Sequence, residues 1–301
     1  MKPMPRPMDV FEELVRARGS GKKCALATIV ETEGSIPSFQ SAKMLIHEDG
    51  SMVGTIGGGC TEADVWQAAR DVIDEEKPRM LRFSLNQQAA YDSGLICGGQ
   101  LNVYVEPILP IPTAFIFGGG HISKSLSKVA ATAGFRTVVV DDREQYANRE
   151  RFPEAAEVHA EEYEDAFGKL EINSSSHVVI VTRGHKDDMR VLRLAAETEA
   201  RYIGMIGSKR KTIEVVKHLL KEGVPLDKLQ RVHAPMGLDI GAVTPEEIAV
   251  AVVAEMVHAR RRPGQEWNPS TKAIFSEGVP KAIEIHADGP AEKETEAARK
   301  S

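Results

Sequence analysis

Residues Phe115–Asp142 read FIFGGGHISKSLSKVAATAGFRTVVVDD, and this stretch decides the fold of the second half of the chain. A short apolar run at 114–117 leads into three consecutive glycines. A stretch of helical character follows, and a second apolar run at 137–140 ends in two aspartates. Strand, glycine loop, helix, strand and acid in this order are typical of a dinucleotide-binding βαβ unit.

Each part of this unit has a predicted role. Gly118 permits the tight turn off the strand, and Gly120 lets a phosphate approach the backbone at the electropositive end of the helix. Asp141 or Asp142, at the end of the second strand, is placed to accept a hydrogen bond from a ribose hydroxyl. Ser123 stands where a third glycine is usual, but serine is small enough for close helix–strand packing. An ordinary βα turn without a ligand is the alternative interpretation.

The composition is that of a globular protein of about two domains, taking roughly 150 residues for each. Of the 301 residues, 42% are hydrophobic and 27% are charged, and the net charge of −6 gives no reason to expect nucleic-acid binding. No apolar run approaches the ~20 residues that span a membrane, and MKPMPRPMDV lacks the apolar core of a secretory signal. The three cysteines form no disulfide framework, so we expect a cytoplasmic protein with reduced thiols.

The prolines of 107–112 predict a linker, because proline interrupts helices and central strands. We therefore expect an N-terminal α+β domain at 1–109, which carries GGGC and CGG loops, and a second domain at 110–262. In the first domain the predicted helices are 9–18 and 61–74, and the predicted strands are 24–30, 43–47, 51–55, 80–84 and 101–106.

The second domain alternates strands and helices. The predicted strands are 114–117, 136–140, 156–159, 177–182, 201–206 and 230–233, and the predicted helices are 121–133, 161–168, 186–198, 208–221 and 244–261. This α/β alternation indicates a Rossmann-like, doubly wound parallel sheet with its ligand crevice at the carboxyl ends of the strands. The tail at 263–301 ends in the charged run AEKETEAARKS, so we expect it to be partly disordered.

Two cysteines lie beside glycines in the first domain. Around Gly58 and Gly59, backbone N–H groups are expected to be open to an anion, and the following helix adds its positive end. Cys60 then lies near a helix N-terminus, which favours the thiolate that ligates soft metals; a buried apolar cysteine beside a tight turn is the alternative. Cys97, in LICGGQ, repeats the pattern and suggests a shared site. Cys24, within an apolar stretch, is expected in the core.

Three loops that follow predicted strands should converge on the crevice of the second domain. His121 directly follows the glycine loop, where it can bond a phosphate or simply begin the helix. Arg183 and His185 follow a later strand and offer a guanidinium and an imidazole. Ser208 is a predicted N-cap, and with Lys209 it suits a phosphate. For the basic run Lys209-Arg210-Lys211, a solvated helix face is the alternative.

The last predicted helix opens with a capping box, formed by Thr244 as N-cap and Glu247 three residues later. Further along, Glu255 lies next to the apolar stripe of the helix. The sequence leaves two interpretations of this carboxylate open, a functional group and a peripheral side chain in contact with solvent.

Several motifs occur in order along the chain. They are Gly34-Ser35-Ile36-Pro37, Gly54-x-Ile56-Gly57-Gly58-Gly59-Cys60-x-Glu62, Cys97-Gly98-Gly99, the loop at Gly118, Gly204-Met205-Ile206-Gly207-Ser208-Lys209, His233-Ala234-Pro235-x-Gly237-Leu238-x-Ile240-Gly241-Ala242 and Pro245-Glu246-Glu247-Ile248-Ala249. The set resembles the XdhC/CoxF (CoxI) family of molybdenum-enzyme maturation factors over residues 10–262. Ser123 stands where that family usually has glycine.

The resemblance implies a homodimeric chaperone, not a catalyst, that binds and protects molybdenum cofactor (molybdopterin). It implies delivery of the sulfurated cofactor to an apo molybdenum hydroxylase of the xanthine or CO dehydrogenase type, with a cysteine desulfurase supplying sulfur. Cys60 is the first candidate to contact molybdenum or sulfur, and Cys97 the second, because a soft thiolate suits a soft metal. Gly118, Gly120 and Asp141 are the candidates to hold the phosphate or nucleotide part.

Two other functions compete with this interpretation. An NAD(P)-dependent oxidoreductase would use the same crevice, and it needs a proton donor and a substrate pocket, for which His121, Arg183 and His185 are the candidates. A redox sensor would bind a nucleotide there and signal through another protein. A fold-level analogy cannot decide among the three functions.

Overall fold

The computed structural model describes residues 9–34, 40–85 and 99–262, and the side chain of Leu85 is not described. Contacts divide the chain into two compact units, Met1–Ile111 and Pro112–Ser301. The predictions for Cys97 and for the tail at 263–301 lie outside the described residues. In the described part, no helix is long and apolar enough to cross a bilayer.

The N-terminal unit is an antiparallel sheet with a helix on it. Its elements are α1 (Val10–Gly19), β1 (Cys24–Gly34), β2 (Lys43–His47), β3 (Met52–Gly54), α2 (Gly59–Glu75), β4 (Arg79–Leu85) and β5 (Gly99–Ile108). The strand order is β3-β2-β1-β5-β4. Alternate residues of β5 are buried, and apolar residues of α2 at helical spacing pack on the same face as Val103. This unit has the predicted α+β character.

One boundary differs from the sequence prediction, because the predicted linker starts too early. β5 continues to Ile108, and Pro107 lies in it opposite Ala25 of β1. On the other side, β4 pairs with β5 only as far as Val105. Pro107 therefore lies on a stretch of β5 with one neighbouring strand, where a missing N–H is tolerated.

The C-terminal unit is a six-stranded parallel sheet. Its strand order, β11-β10-β9-β6-β7-β8, reverses direction at β6, which confirms the Rossmann-like α/β fold. The elements are β6 (Thr113–Phe117), α3 (His121–Thr132), β7 (Arg136–Asp141), β8 (Glu157–Ala160), α4 (Tyr163–Lys169), β9 (Ser176–Ile180), α5 (His185–Ala196), β10 (Tyr202–Met205), α6 (Lys209–Lys221), α7 (Leu226–Gln230), β11 (Val232–His233) and α8 (Pro245–Arg261).

Helices cover both faces of this sheet. Phe115 and Phe117 of β6 point to the face covered by α4, α5 and α6, and Ile116 points to the face covered by α3 and α8. The strands are buried on both sides, which explains why they read as continuous apolar runs. The order reverses between β7 and β9, on either side of β6, so the crevice lies at their carboxyl ends.

The last part of the sheet was predicted incompletely. The predicted strand at 230–233 is shorter, Val232–His233, and the single-turn helix α7 precedes it. Leu229 is the buried residue of α7. A helix this short shows too little periodicity to be recognised from the sequence.

Candidate functional site

In the N-terminal unit, the glycine–cysteine loop leads directly into α2. Gly58 is the N-cap of the helix, with φ of 79°, and no side chain caps the first turn. Cys60 is the second residue of the helix, and its side chain is exposed. The alternative of a buried Cys60 is therefore wrong, whereas its assignment as a ligand stays a prediction.

Glu62 fixes the shape of this loop from one turn into the helix. Its Oε2 accepts hydrogen bonds from Thr55 Oγ1 at 2.7 Å and from the Gly58 N–H at 3.0 Å. The Gly58 N–H is therefore occupied, contrary to the expectation of an open group. The first-turn N–H groups of α2, those of Gly59 and Cys60 included, have no acceptor within the helix.

Cys24 has the opposite environment. It is fully buried, and burial raises the pKa of its thiol to about 11. The prediction of Cys24 as a core residue is confirmed. Because the thiolate is the reactive form, an exposed thiol at a helix start is more reactive than a buried, protonated thiol. In residues 9–34, 40–85 and 99–262, no three His, Cys, Asp or Glu side chains are grouped to hold a metal ion.

In the C-terminal unit, the outer glycines of the glycine loop have different roles. Gly118 has φ of 110°, and a Cβ placed on it would lie 2.3 Å from the carbonyl oxygen of Val181. Gly120 has φ of −73°, and a Cβ there would meet nothing within 4 Å. Gly118 is thus required by the fold, while Gly120 faces open space. His121 is exposed at the first position of α3, which has no side-chain cap.

Asp141 ends β7 and is fully buried. Its carboxylate accepts hydrogen bonds from the Gly119 N–H at 2.7 Å and from the backbone and guanidinium of Arg143. Burial disfavours the charged form, but these hydrogen bonds outweigh burial and lower the pKa of Asp141. The predicted ribose-binding carboxylate is therefore ionised and bonded within the protein.

Asp142 and Arg183 pair with each other at the same edge of the sheet. Asp142 Oδ2 lies 2.7 Å from Arg183 Nη2, and Asp187 lies 3.0 Å from Arg183 Nε. The cation predicted at Arg183 is thus shared between two carboxylates. His185 is exposed at the start of α5.

The loop after β10 contains the predicted N-cap. Ser208 Oγ accepts a hydrogen bond from the Lys211 N–H at 3.3 Å, which confirms its capping role. Lys209 is exposed, as is the next residue. Lys211 instead forms an ion pair with the buried carboxylate of Asp188, so a solvated helix face does not describe the whole basic run. The glycine loop, Asp142, Arg183 and Ser208 all follow strands at the same edge of the sheet.

Glu255 is the residue that the sequence analysis described least well. It is buried, with 2% of its surface exposed, so the interpretation as a peripheral, solvent-exposed glutamate is wrong. Its carboxylate accepts hydrogen bonds from Tyr202 Oη at 2.7 Å, Gly237 N at 2.7 Å and His233 Nδ1 at 3.1 Å. Burial raises the pKa of Glu255, but these donors outweigh it and the net shift is downward. The position of Glu255 beside the apolar stripe was the one signal in the sequence that could have indicated its burial.

Several known proteins are similar to this chain over most of its length. The chain is 34% identical to the uncharacterized protein YqeB of Escherichia coli (strain K12) over 84% of its own length, and it spans 46% of that relative. It is 24% identical to a probable xanthine dehydrogenase component of Bacillus subtilis (strain 168), covering 80% of this chain and 94% of the relative. It is also 24% identical to the molybdenum cofactor insertion chaperone PaoD of E. coli, covering 82% and 86%.

A crystal structure of a xanthine dehydrogenase from Bacillus halodurans matches 88% of this chain and 99% of its own chain, with 26% identity and a TM-score of 0.46. Two family models match the chain in succession. The model of the XdhC and CoxI family matches residues 17–84, and that of the XdhC Rossmann domain matches residues 114–256. Together they include most of the chain, with one match in each compact unit. The chain therefore belongs to the XdhC and CoxI family.

Proposed function

We propose that this protein is a maturation factor that binds molybdenum cofactor and aids its sulfuration and insertion into a xanthine or CO dehydrogenase-type hydroxylase. The observation that carries the proposal is the exposed Cys60 at the uncapped start of α2, in a chain similar to a molybdenum cofactor insertion chaperone. The similarity supports the general role, and the cysteine supplies a residue through which it can be tested.

The residues of the loop fit this cofactor. Molybdenum cofactor is a pterin that carries a dithiolene and a phosphate, and it supplies a soft, sulfur-rich metal centre when bound. A thiolate is a suitable ligand for such a centre, and a helix N-terminus stabilises negative charge. Cys60 would bind the molybdenum centre, and Glu62 would hold the loop in place through its hydrogen bonds with Thr55 and Gly58. Cys97, outside the described residues, remains the second candidate.

In the C-terminal unit, a phosphate would bind at the first turn of α3. Gly120 leaves the backbone accessible there, and His121 is exposed beside it. Ser208 and Lys209 after β10 are further candidates for an anionic group. The proposal also includes a cysteine desulfurase and an apo hydroxylase as partners and a homodimer, which rest on the family resemblance. It includes a cytoplasmic location as well, which rests on the cysteine content of the sequence.

The oxidoreductase alternative is disfavoured by the hydrogen bonding of Asp141. An NAD(P) site of the usual kind needs a carboxylate or cation free to meet the ribose at the end of the second strand. Asp141 is bonded to Gly119 and Arg143 instead. Asp142 is paired with Arg183 through Oδ2, and its buried Oδ1 has no hydrogen-bond partner. A nucleotide-binding sensor that bonds its ribose through Asp141 meets the same obstacle.

The test is a titration of the purified protein with molybdenum cofactor, followed by gel filtration and assay of pterin fluorescence and molybdenum in the protein peak. We expect co-elution with wild type, and Cys60→Ala should retain at least about tenfold less, since loss of a ligand exceeds the usual cost of losing a supporting group. Cys24→Ala is the matched control, because it removes a thiol that is buried.

Retention by Cys60→Ala equal to that of wild type would reduce Cys60 to a surface residue and leave Cys97 to be tested in the same way. Absence of pterin and molybdenum from the wild-type peak would refute cofactor binding itself. Nicotinamide turnover by such a sample would favour the oxidoreductase, and tight nucleotide binding without turnover would favour the sensor.

A further inference from the structure

The segment that follows β7 folds back onto the glycine loop. The Gly119 N–H donates to Asp141 at 2.7 Å, and the Gly119 carbonyl accepts from Arg151 Nη2 at 3.0 Å. A Cβ on Gly119 would lie 2.5 Å from the carbonyl oxygen of Tyr146. The middle glycine is therefore bonded on both sides of its peptide, and it must be glycine because the protein's own backbone lies against it.

Arg143 forms the outer layer over Asp141. Its backbone N–H and Nε donate to Asp141 Oδ1 at 3.1 and 2.8 Å, and its Nη2 donates to Oδ2 at 3.0 Å. The guanidinium also lies 3.8 Å from the ring centroid of Tyr146. The side chain of Arg143 is 27% exposed, whereas that of Asp141 is 1% exposed. Arg143 thus separates this carboxylate from solvent.

The carboxylate of Asp141 has no acceptor position left for a ligand. An ionised carboxylate offers about four lone-pair positions. Asp141 receives four hydrogen bonds, two on each oxygen, from Gly119 and Arg143. In a dinucleotide-binding unit, the carboxylate at this position accepts from ribose hydroxyls. Here the donors of Arg143 occupy the positions that the ribose would need.

We infer that Arg143 is a specificity-determining residue, which keeps a ribose diol from bonding to Asp141 and so weakens the binding of ligands that carry such a diol. The neighbouring Asp142 keeps one buried oxygen, Oδ1, without a hydrogen-bond partner. The crevice then favours ligands that reach the glycine loop without such a diol, of the chemical class of phosphate monoesters. For the cofactor, and here the inference rests on the proposed function, this selects the form that ends in a phosphate over the form extended with a nucleotide.

The test uses ADP-ribose, which carries an adenosine diol and a diphosphate, titrated calorimetrically into the full chain without molybdenum cofactor. Arg143→Ala should bind ADP-ribose at least about tenfold more tightly than wild type, because freeing a carboxylate provides hydrogen bonds to a charged group. Arg136→Ala should bind like wild type, since Arg136 lies at the opposite end of β7 and pairs with Glu157. The double variant Arg143→Ala/Asp141→Asn should lose the gain.

Arg143→Lys is a second variant, which keeps the charge but cannot occupy both oxygens in a fork; we expect a smaller gain in affinity. Circular dichroism verifies that each variant is folded. Equal affinity of wild type and a folded Arg143→Ala would overturn the inference, as would a gain that persists in the double variant. Either result leaves the cofactor titration with Cys60→Ala unaffected, so the inference and the proposed function fail separately.

Discussion

Replacing Glu255 by alanine should destabilise the C-terminal unit more than any change on its surface. The substitution removes the acceptor of the Tyr202 hydroxyl, which is itself almost fully buried, and the acceptor of the Gly237 N–H. His233 is partly exposed, so water can replace its bond to Glu255.

The magnitude follows from the two buried hydrogen bonds. Bonds to a charged group contribute about 1.5–3 kcal/mol each, so Glu255→Ala should lower the free energy of unfolding by about 3–6 kcal/mol. Glu255→Gln keeps the shape and an acceptor oxygen but loses the charge, and neutral bonds are roughly half as strong, so about 1.5–3 kcal/mol should be lost. Glu246→Ala, at an exposed position of the same helix, should change stability by no more than about 0.5 kcal/mol.

Equilibrium unfolding in urea, followed by circular dichroism, measures these differences, and its pH dependence gives a second test. The folded-state pKa of Glu255 lies below its ordinary value of 4.5. The stability that the charged form contributes is therefore present above pH 4.5 and is lost as pH falls through the lower, folded-state pKa. The difference between wild type and Glu255→Gln should shrink over that range. A loss of less than about 1 kcal/mol in Glu255→Ala at neutral pH would refute the reasoning.

The remaining predictions concern the glycine loop and the thiols. In the same urea assay, Gly118→Ala should lower the free energy of unfolding by about 3 kcal/mol or more, because it combines a left-handed φ with a contact of 2.3 Å to Val181. Gly120→Ala should leave the free energy of unfolding unchanged or raise it by up to about 1 kcal/mol. Equal losses in the two variants would contradict this division of roles. In the native protein near pH 8, Cys60 should react with a thiol reagent while Cys24, with its pKa of about 11, reacts only on unfolding. Peptide mass spectrometry separates the two, and labelling of native Cys24 would show that the core opens.

The sequence predicted the parts of the fold that depend on local pattern. The run at 137–140 and the glycine Gly118 mark a strand and a turn because burial and backbone conformation act on neighbouring residues. The capping box at Thr244 was readable for the same reason, since its two partners are three residues apart. These features need no knowledge of the rest of the chain.

The state of the candidate sites could not be read in this way. Whether Asp141 is open or saturated depends on how Arg143 turns back over it, and no spacing rule sets that direction. Glu62 binds Thr55 only because the loop between them closes. The burial of Glu255 depends on Tyr202, 53 residues earlier in the chain. Whether a polar side chain beside an apolar stripe is buried or exposed can be assigned only when its tertiary partner is known.

The distance in sequence between Tyr202 and Glu255 also has a consequence for the order of folding during synthesis. A chain grows from its N-terminus, so β10 emerges before α8. Until α8 is available, one face of the parallel sheet lacks the cover that Val252 and Met256 provide, and the Tyr202 phenol lacks its carboxylate. Docking of α8 therefore covers this face of the sheet and gives the Tyr202 phenol its hydrogen-bond acceptor in the same event. We expect the nascent C-terminal unit to resist proteases only after α8 has docked.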